Sequence, residues 1–496
     1  MWMVLVLAGA VLLGAAGPAK LDMSARLLPP AAVPGPAVAP FVKVPAGRTA
    51  IVHVNLIDGT GAPAMANRTV LIEGNRIMAV QAGDAPVPAG YRQVDGQGRS
   101  LMPGLIGMHD HQYYISRPNL DAALKSEPPL IIPQMAFSSP RLYLAGGVTT
   151  IRTGGSVEPF SDLNMKTEID AGRLPGPRMD VTAPYLEGMG SPFVQMGRLN
   201  CPAAATAMVN YWADQGVTSF KAYMFIDRAS LAAAIAAAHA RGIKVTGHLC
   251  AVTYAEAAAL GIDNLEHGFF ANTGGDPGKV PDVCPPTSGG PTLSAMTADS
   301  VAAKELIATL VAKRVALTST LPVFEPRGAK PRPLSPRQLA VMTPQARTDY
   351  LYPRLAALMF TPERAAAGAL QWRNGMALER AFVAAGGLLI AGPDPTGAGH
   401  VLPGFGDQRG IELLVDAGFS PLEAIRIGTL NGAIYLGVDA ALGSIAVGKV
   451  ADLVLVKGDP SRRIDDIENV EIVFKDGIGY DSAALLETVQ GRYGQY

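Results

Sequence analysis

From Gly147 to Ala391 short apolar, β-branched runs alternate with longer Ala-rich ones, and this alternation limits the fold more than any other feature. Gly147–Arg152, Arg178–Ala183, Val217–Met224, Ile243–Leu249, Asn264–Phe270, Val315–Thr320 and Leu388–Ala391 read as strands. Among them Leu231–Arg241, Tyr254–Leu260 and Val301–Arg314 read as helices, and a long helical stretch runs up to Ala385. Strands joined by helical crossovers lie parallel, since only a long connection returns the chain to the same edge. One more strand precedes them, in Leu101-Met-Pro-Gly-Leu-Ile-Gly-Met-His-Asp-His111. With roughly eight units the economical architecture is a closed (β/α)₈ TIM barrel, whose usual size is ~250 residues or more.

The flanks have a different texture. Thr49–Ile57, Thr69–Glu73 and Arg76–Ala82 are short alternating strands, with Gly74-Asn75 as a hairpin turn. After a helix opened by Ser420-Pro-Leu-Glu423 and running to about Leu436, short strands return at Gly443–Ile445, Ala451–Val456 and Val470–Lys475. Two such segments flanking a barrel can pair into one small β-sandwich. The expected division is a signal peptide over 1–19, a flexible Pro/Ala-rich lead-in over 20–47, sandwich segments over 48–100 and 438–496, and a barrel over 101–437.

The signal peptide is read from the apolar run Val4–Ala16, which is short for a bilayer span and is followed by small residues before Lys20. Export to the periplasm or beyond is the expectation, with an uncleaved membrane anchor as the alternative and no stable insertion after cleavage. The 41 basic and 42 acidic residues nearly cancel, so no nucleic-acid footprint exists and a small molecule is the expected partner. Self-association is left open. Of the three cysteines, Cys201 and Cys284 both precede Pro in loop-like sequence, so one bridge between them suits an oxidising compartment. Three unbridged thiols suit the sequence equally well, and Cys250 reads as packed.

In a barrel of this kind the C-terminal strand ends converge on one mouth. His109 and His111 share a face of their strand, because alternate side chains point the same way. Alone, His-x-His caps a buried strand more often than it binds metal. Lys221, His248, His267 and Asp394 fall at or near further strand ends, and the six together make a specific pattern. His53 lies in the flank and reads as structural. His239 sits within a helix, and His400 lies in a Gly-rich loop.

These segments resemble the metal motifs of the amidohydrolase superfamily: Pro103–His111, Lys221 in Phe-Lys-Ala-Tyr, Gly247-His248, Glu266-His267-Gly268 and Ala391-Gly-Pro-Asp394. The likeness runs from about Thr49 to Tyr480 and is nearest to the imidazolonepropionase-like and Xaa-Pro dipeptidase-like group. It implies two divalent metal ions, most often zinc. His109, His111 and Asp394 would hold the more buried ion, and His248 and His267 the more exposed one. Lys221, N6-carboxylated by CO₂, would bridge them. The chain departs from the pattern where proline flanks Asp394 on both sides and where Thr153 stands in place of a frequent Asp. Ala271–Ala295 reads as an inserted loop over the mouth.

The function implied is hydrolysis of an amide or peptide C–N bond, of dipeptide or N-acyl amino acid type, by a metal-bridging hydroxide. Asp394 would move the proton from attacking oxygen to leaving amine. Cyclic-amide, lactone or ester hydrolysis could use the same site. Deaminase members generally hold one metal and lack the bridging lysine. A non-catalytic barrel binding protein has no need of all six residues together. Two further residues are candidates for substrate contact. Tyr223, two residues after Lys221, shares its inward face, and Arg152 could hold a carboxylate.

Overall fold

The structure is a computed structural model of the 496-residue chain, and it describes residues 21–116, 130–132, 135–327, 335–395 and 401–494. The expected signal segment and His400 lie outside them.

Eight parallel strands appear where the alternation placed them. Leu105–Asp110, Val148–Thr153 and Arg178–Asp180 form a three-stranded sheet. Ser219–Ala222, Lys244–Gly247, Asn264–Glu266, Ala316–Ser319 and Leu389–Ala391 form a five-stranded one in chain order. The two sheets approach each other at both edges. Beyond the third strand a parallel bridge joins Thr182 to Ser219, with Ala183 N donating to Ser219 O at 3.0 Å. Beyond the eighth, Asp394 N donates to His109 O at 3.0 Å. Gly392 permits that approach: a Cβ there would lie 2.2 Å from His109 N.

Period-two alternation decides which side chains face inward. Ile151, Phe220, Val245, Leu265 and Leu317 pack outward into the main core with Ala234, Leu310, Leu378 and Phe382 from the surrounding helices. Each such side chain contributes about 1.5–3 kcal/mol by burial. Their neighbours Arg152, Lys221, Thr246, Glu266 and Thr318 point the other way and are also buried. The crossover helices start and stop on local signals. Asp227 caps Arg228–Ala240 by accepting from Ser230 N, and Thr253 with Glu256 forms a capping box on Tyr254–Leu260. The helix expected to reach Leu436 is broken into Pro421–Ile427 and Leu430–Leu436. There Gly428 O accepts from Ile106 N of the first parallel strand at 2.9 Å.

Both chain ends join one nine-stranded mixed sheet. Ser100–Pro103 pairs in parallel with Arg48–Leu56 on one side and antiparallel with Leu453–Val456 on the other. The two expected β segments therefore meet edge to edge in a single hydrogen-bonded sheet. Three local expectations change. The strand read from Leu101 to His111 is two strands parted at Gly104, the first belonging to the nine-stranded sheet. Gly443–Ile445 is loop, docked by Ile445 N on Asp58 O. The lead-in is docked over its described part: Leu27, Val38 and Phe41 are buried, and Val42–Val44 pairs with Ile478–Asp481. Val33 of the same segment stays exposed.

The cysteine pairing also needs correction. Cys250 bonds to Cys284, with Cα atoms 4.8 Å apart, while Cys201 is free and exposed beside the start of helix Pro202–Gln215. Cys284 lies in the insertion, which folds back toward the strand end after His248. Asp276 gathers that loop, accepting from Thr287, Gly289 and Thr292.

Candidate active site

The C-terminal ends of the parallel strands bring five of the expected residues together. His109 lies near the end of the first strand and His111 just follows it, Lys221 lies in the fourth, and His267 and Asp394 follow the sixth and eighth. All five are buried. His111 Nε2 lies 3.3 Å from Asp394 Oδ1, His109 Nε2 3.7 Å from the same oxygen, and His267 Nδ1 3.9 Å from Asp394 Oδ2. Lys221 Nζ is 3.1 Å from His109 Nε2. His267 and Asp394 both hold left-handed backbone, with φ of 70° and 54°. For residues other than glycine this is strain that the surrounding structure must sustain.

The histidines are oriented from behind. His109 Nδ1 sits 2.7 Å from Glu266 Oε2 and His111 Nδ1 3.2 Å from Gly155 O. Carboxylate and carbonyl oxygens only accept here, so each Nδ1 carries the proton and each Nε2 keeps a lone pair toward the site. His267 Nδ1 is held 2.8 Å from Thr320 Oγ1, and its buried Nε2 has no hydrogen-bond partner. Tyr143 pins the backbone of His111, accepting from its N at 3.0 Å and donating to its O at 2.9 Å.

Electrostatics agree with a cation-binding role. Burial drives the His111 and His248 rings down, to about 4 and about 3, so both are neutral at ordinary pH. Burial opposes charge on Asp394 too, but His109, His111 and His267 hold its carboxyl well below the usual range. Desolvation lowers the Lys221 ammonium to about 8. His109, His267 and Asp394 offer ligand atoms within 4.8 Å of one another. An orphaned imidazole nitrogen, two lone pairs aimed inward and an ionised carboxylate fit a divalent ion of the zinc type.

His248 stands at the edge of this group. Its ring is half-buried, 4.3 Å from that of His267 between centroids, and 5.0 Å from that of Tyr223. Tyr223 is thus beside the site, as the alternation implied.

Arg152 lies elsewhere. It is wholly buried among the strands, donating to Met108 O, Asn264 Oδ1 and Glu266 Oε1 at 2.8, 3.0 and 2.7 Å. It is an internal counter-ion and does not offer a carboxylate clamp at the mouth. Thr153 is likewise internal, its hydroxyl accepting from Thr182 N. Sequence reasoning passed over Glu266, which joins Arg152 to His109. The signal was there: Asn264 and Glu266 sit on either side of Leu265, hence on one inward face. Thr320 carried no comparable sign.

Residues 376–478 match the model of the amidohydrolase family. Among solved structures, a candidate prolidase from Bifidobacterium longum has a TM-score of 0.63 at 24% identity, covering 90% of this chain and 99% of that one. A Xaa-Pro dipeptidase with methionine bound in its active site has 0.63 at 21%, covering 88% and 100%. Bottromycin amidohydrolase has 0.63 at 20%, covering 94% and 96%. No curated protein matches the chain by sequence. The structural likenesses carry the fold, an α/β architecture of the TIM-barrel kind. The family match, confined to residues 376–478, agrees with the resemblance read from the sequence.

Proposed function

We propose that the chain is an exported, binuclear metal-dependent amidohydrolase that cleaves an amide or peptide C–N bond in a small molecule of dipeptide or N-acyl amino acid type. One observation carries this reading: four metal-competent side chains and Lys221 converge on one end of the parallel strands, where a buried His267 nitrogen has no protein partner. The scaffold is a closed (β/α)₈ barrel over about 101–437 with β segments 48–100 and 438–496 paired beside it. The Thr182–Ser219 bridge and the Asp394–His109 bond support closure.

His109, His111 and Asp394 would hold one zinc ion and His248 and His267 the other, with Lys221 bridging as its carbamate. Bound ions supply Lewis acidity to the scissile carbonyl and to water. The chain's own residues do the rest. Asp394, ionised, accepts the proton released on attack and returns it to the leaving amine. Glu266, Gly155 and Thr320 hold the imidazoles in register. Lys221 must shed its proton before it can add CO₂, and its buried surroundings ease that loss. Tyr223 would meet the substrate carbonyl, a role supported by its half-exposed position beside His248. The Cys250–Cys284 bridge supports an oxidising compartment and hence export.

The relatives named as prolidase, molinate hydrolase and bottromycin amidohydrolase share the fold while differing in the compound they are named for. A second reading, cyclic-amide, lactone or ester hydrolysis, gains from the burial of Arg152, which leaves a substrate carboxylate without that partner. The deciding experiment is a hydrolysis screen of dipeptides, N-acyl amino acids and lactones on metal-loaded protein, with elemental analysis. About two ions per chain are expected. Lys221→Ala should lose the bridge and most turnover, by about 10²–10⁴-fold if proton handling fails with it. Small carboxylic acids should partly rescue it. Wild-type turnover in Lys221→Ala, or activity in metal-free protein, overturns the reading.

A further inference from the structure

On the outer side of the first parallel strand lies a pair of carboxylates that the histidine site does not use. Gly107 pairs with Ile151 and Asp110 with Thr153, a step of three residues against a step of two. The extra residue is a bulge, and it brings Gly107 and Asp110 to one face, that of the outward Ile151. There Asp110 meets Asp407, in the first turn of helix Phe405–Asp416. A Cβ on Gly107 would lie 1.8 Å from Asp110 Oδ2 and 2.7 Å from Asp407 Oδ1, so both oxygens lean over the same bare backbone. Asp110 is wholly buried and Asp407 nearly so. Beside them is a cavity of about 10 Å³, lined by Asp407 and by Gly107, Gly392, Gly410 and Gly428. That is about the room one water-sized sphere needs.

Of the four carboxylate oxygens only one is bonded: Asp407 Oδ2 accepts from Gly404 N at 2.9 Å. Asp110 Oδ1, Asp110 Oδ2 and Asp407 Oδ1 are buried without a partner. The Tyr143 hydroxyl beside Asp110 gives its proton to His111 O. Arg409, two residues beyond Asp407, pairs with Glu325 and Glu412. Buried oxygens left in this way carry a desolvation cost that some partner must offset. A shared proton joins two of the three and leaves a negative charge buried. A water donates to two and brings no charge. A divalent cation meets all three and balances both carboxylates. Donors that are all oxygen suit the calcium and magnesium class, where zinc favours nitrogen and sulfur.

We infer that Asp110 and Asp407 form a further, non-catalytic cation site, which takes a hard divalent ion of the calcium or magnesium class and completes its shell with water. The ion ties helix Phe405–Asp416 to the strand that carries His109, on the face opposite the histidine site.

Equilibrium dialysis of the zinc-loaded full chain against CaCl₂ or MgCl₂ tests this by counting bound ions. About one calcium or magnesium per chain is expected beyond the zinc, whose count stays unchanged. Asp407→Asn, nearly isosteric, should lose that ion and keep the zinc. Urea unfolding gives a second readout that needs no variant. An ion that binds only the folded chain stabilises it, so the wild-type midpoint should rise as calcium or magnesium is added at constant zinc. The midpoint of Asp407→Asn should not respond. No bound ion and no shift in wild type with either salt overturns the inference and leaves the pair joined by protons. Calcium or magnesium that enters only as zinc leaves also overturns it, as does an ion that Asp407→Asn retains. The hydrolase reading fails or stands separately, since Asp407→Asn leaves every proposed zinc ligand in place.

Discussion

Two buried ionic clusters lie at opposite ends of the parallel strands, and they differ in how completely the protein satisfies them. At the N-terminal end Arg178 opens the third strand and donates to Asp452 and Asp476 of the nine-stranded sheet, while Asp476 N donates to Asp452 Oδ1 at 2.9 Å. The guanidinium and both carboxylates are spent on one another, and the cluster ties two parts of the molecule together. At the C-terminal end the imidazoles are fixed from behind and aim lone pairs inward, one of them with no partner. Left-handed backbone occurs in both, at Asp476 in the first and at His267 and Asp394 in the second. The first pattern is that of a joint, the second that of a site held ready for a ligand.

Substitution in the joint should give the largest change in stability. Arg178→Met leaves Asp452 and Asp476 buried without their cation, and removing one partner of such a pair costs about 3–5 kcal/mol. The midpoint of urea unfolding should fall accordingly, while metal content of the surviving folded protein stays at the wild-type value. Loss of metal without loss of stability would break the comparison.

How much of this was legible in the sequence follows from what alternation can and cannot say. His109 and His111 were readable because spacing by two fixes a shared face, and Lys221, His248, His267 and Asp394 because each ends or follows an apolar run. Alternation along the second strand agrees with Arg152 facing inward, opposite to Ile151. It does not give depth, and depth separates a residue beside Glu266 from one at the mouth. The pairing of Ser100–Pro103 with Leu453–Val456 joins residues some 350 apart, which no local pattern reveals. Cys250 was passed over for the same reason: its partner is brought near by a loop gathered on Asp276. The docked lead-in is rich in Pro and Ala and has no periodic pattern, so composition read it as loose although Leu27, Val38 and Phe41 are buried.

The disulfide sharpens the comparison next, because it tethers only the C-terminal end. Cys250 is two residues beyond His248, and the bridge closes a separation of 34 residues. Cys284→Ser should lower stability by about 2–4 kcal/mol, from loop-closure entropy in the unfolded chain. It should also loosen the half-exposed His248 side of the site. Measured by urea unfolding with and without reductant, the variant should match reduced wild type. A variant as stable as oxidised wild type would mean that the insertion holds itself without the bridge.

The smallest expected effect tests the distinction most directly. Glu266 touches no substrate. It accepts from His109 Nδ1 and pairs with Arg152, which makes it a positioning residue. Burial would raise its pKa, but Arg152 and His109 hold it well below the usual carboxylate range, so it is an anion in the folded protein. Glu266→Gln keeps the shape and removes that charge. The amide can turn its nitrogen toward His109, which favours the other tautomer and withdraws Nε2 from the metal side. Changes of this kind typically cost about 10–100-fold in metal affinity. Competition with a chromophoric chelator should therefore show weaker binding in Glu266→Gln and no change in Asp452→Asn, where the same chemical substitution sits in the joint. Unfolding should rank them the other way, since Asp452 is bonded to a cation that bridges two sheets. If both variants weaken metal binding equally, the two clusters are one coupled network, and the difference drawn between a joint and a site dissolves.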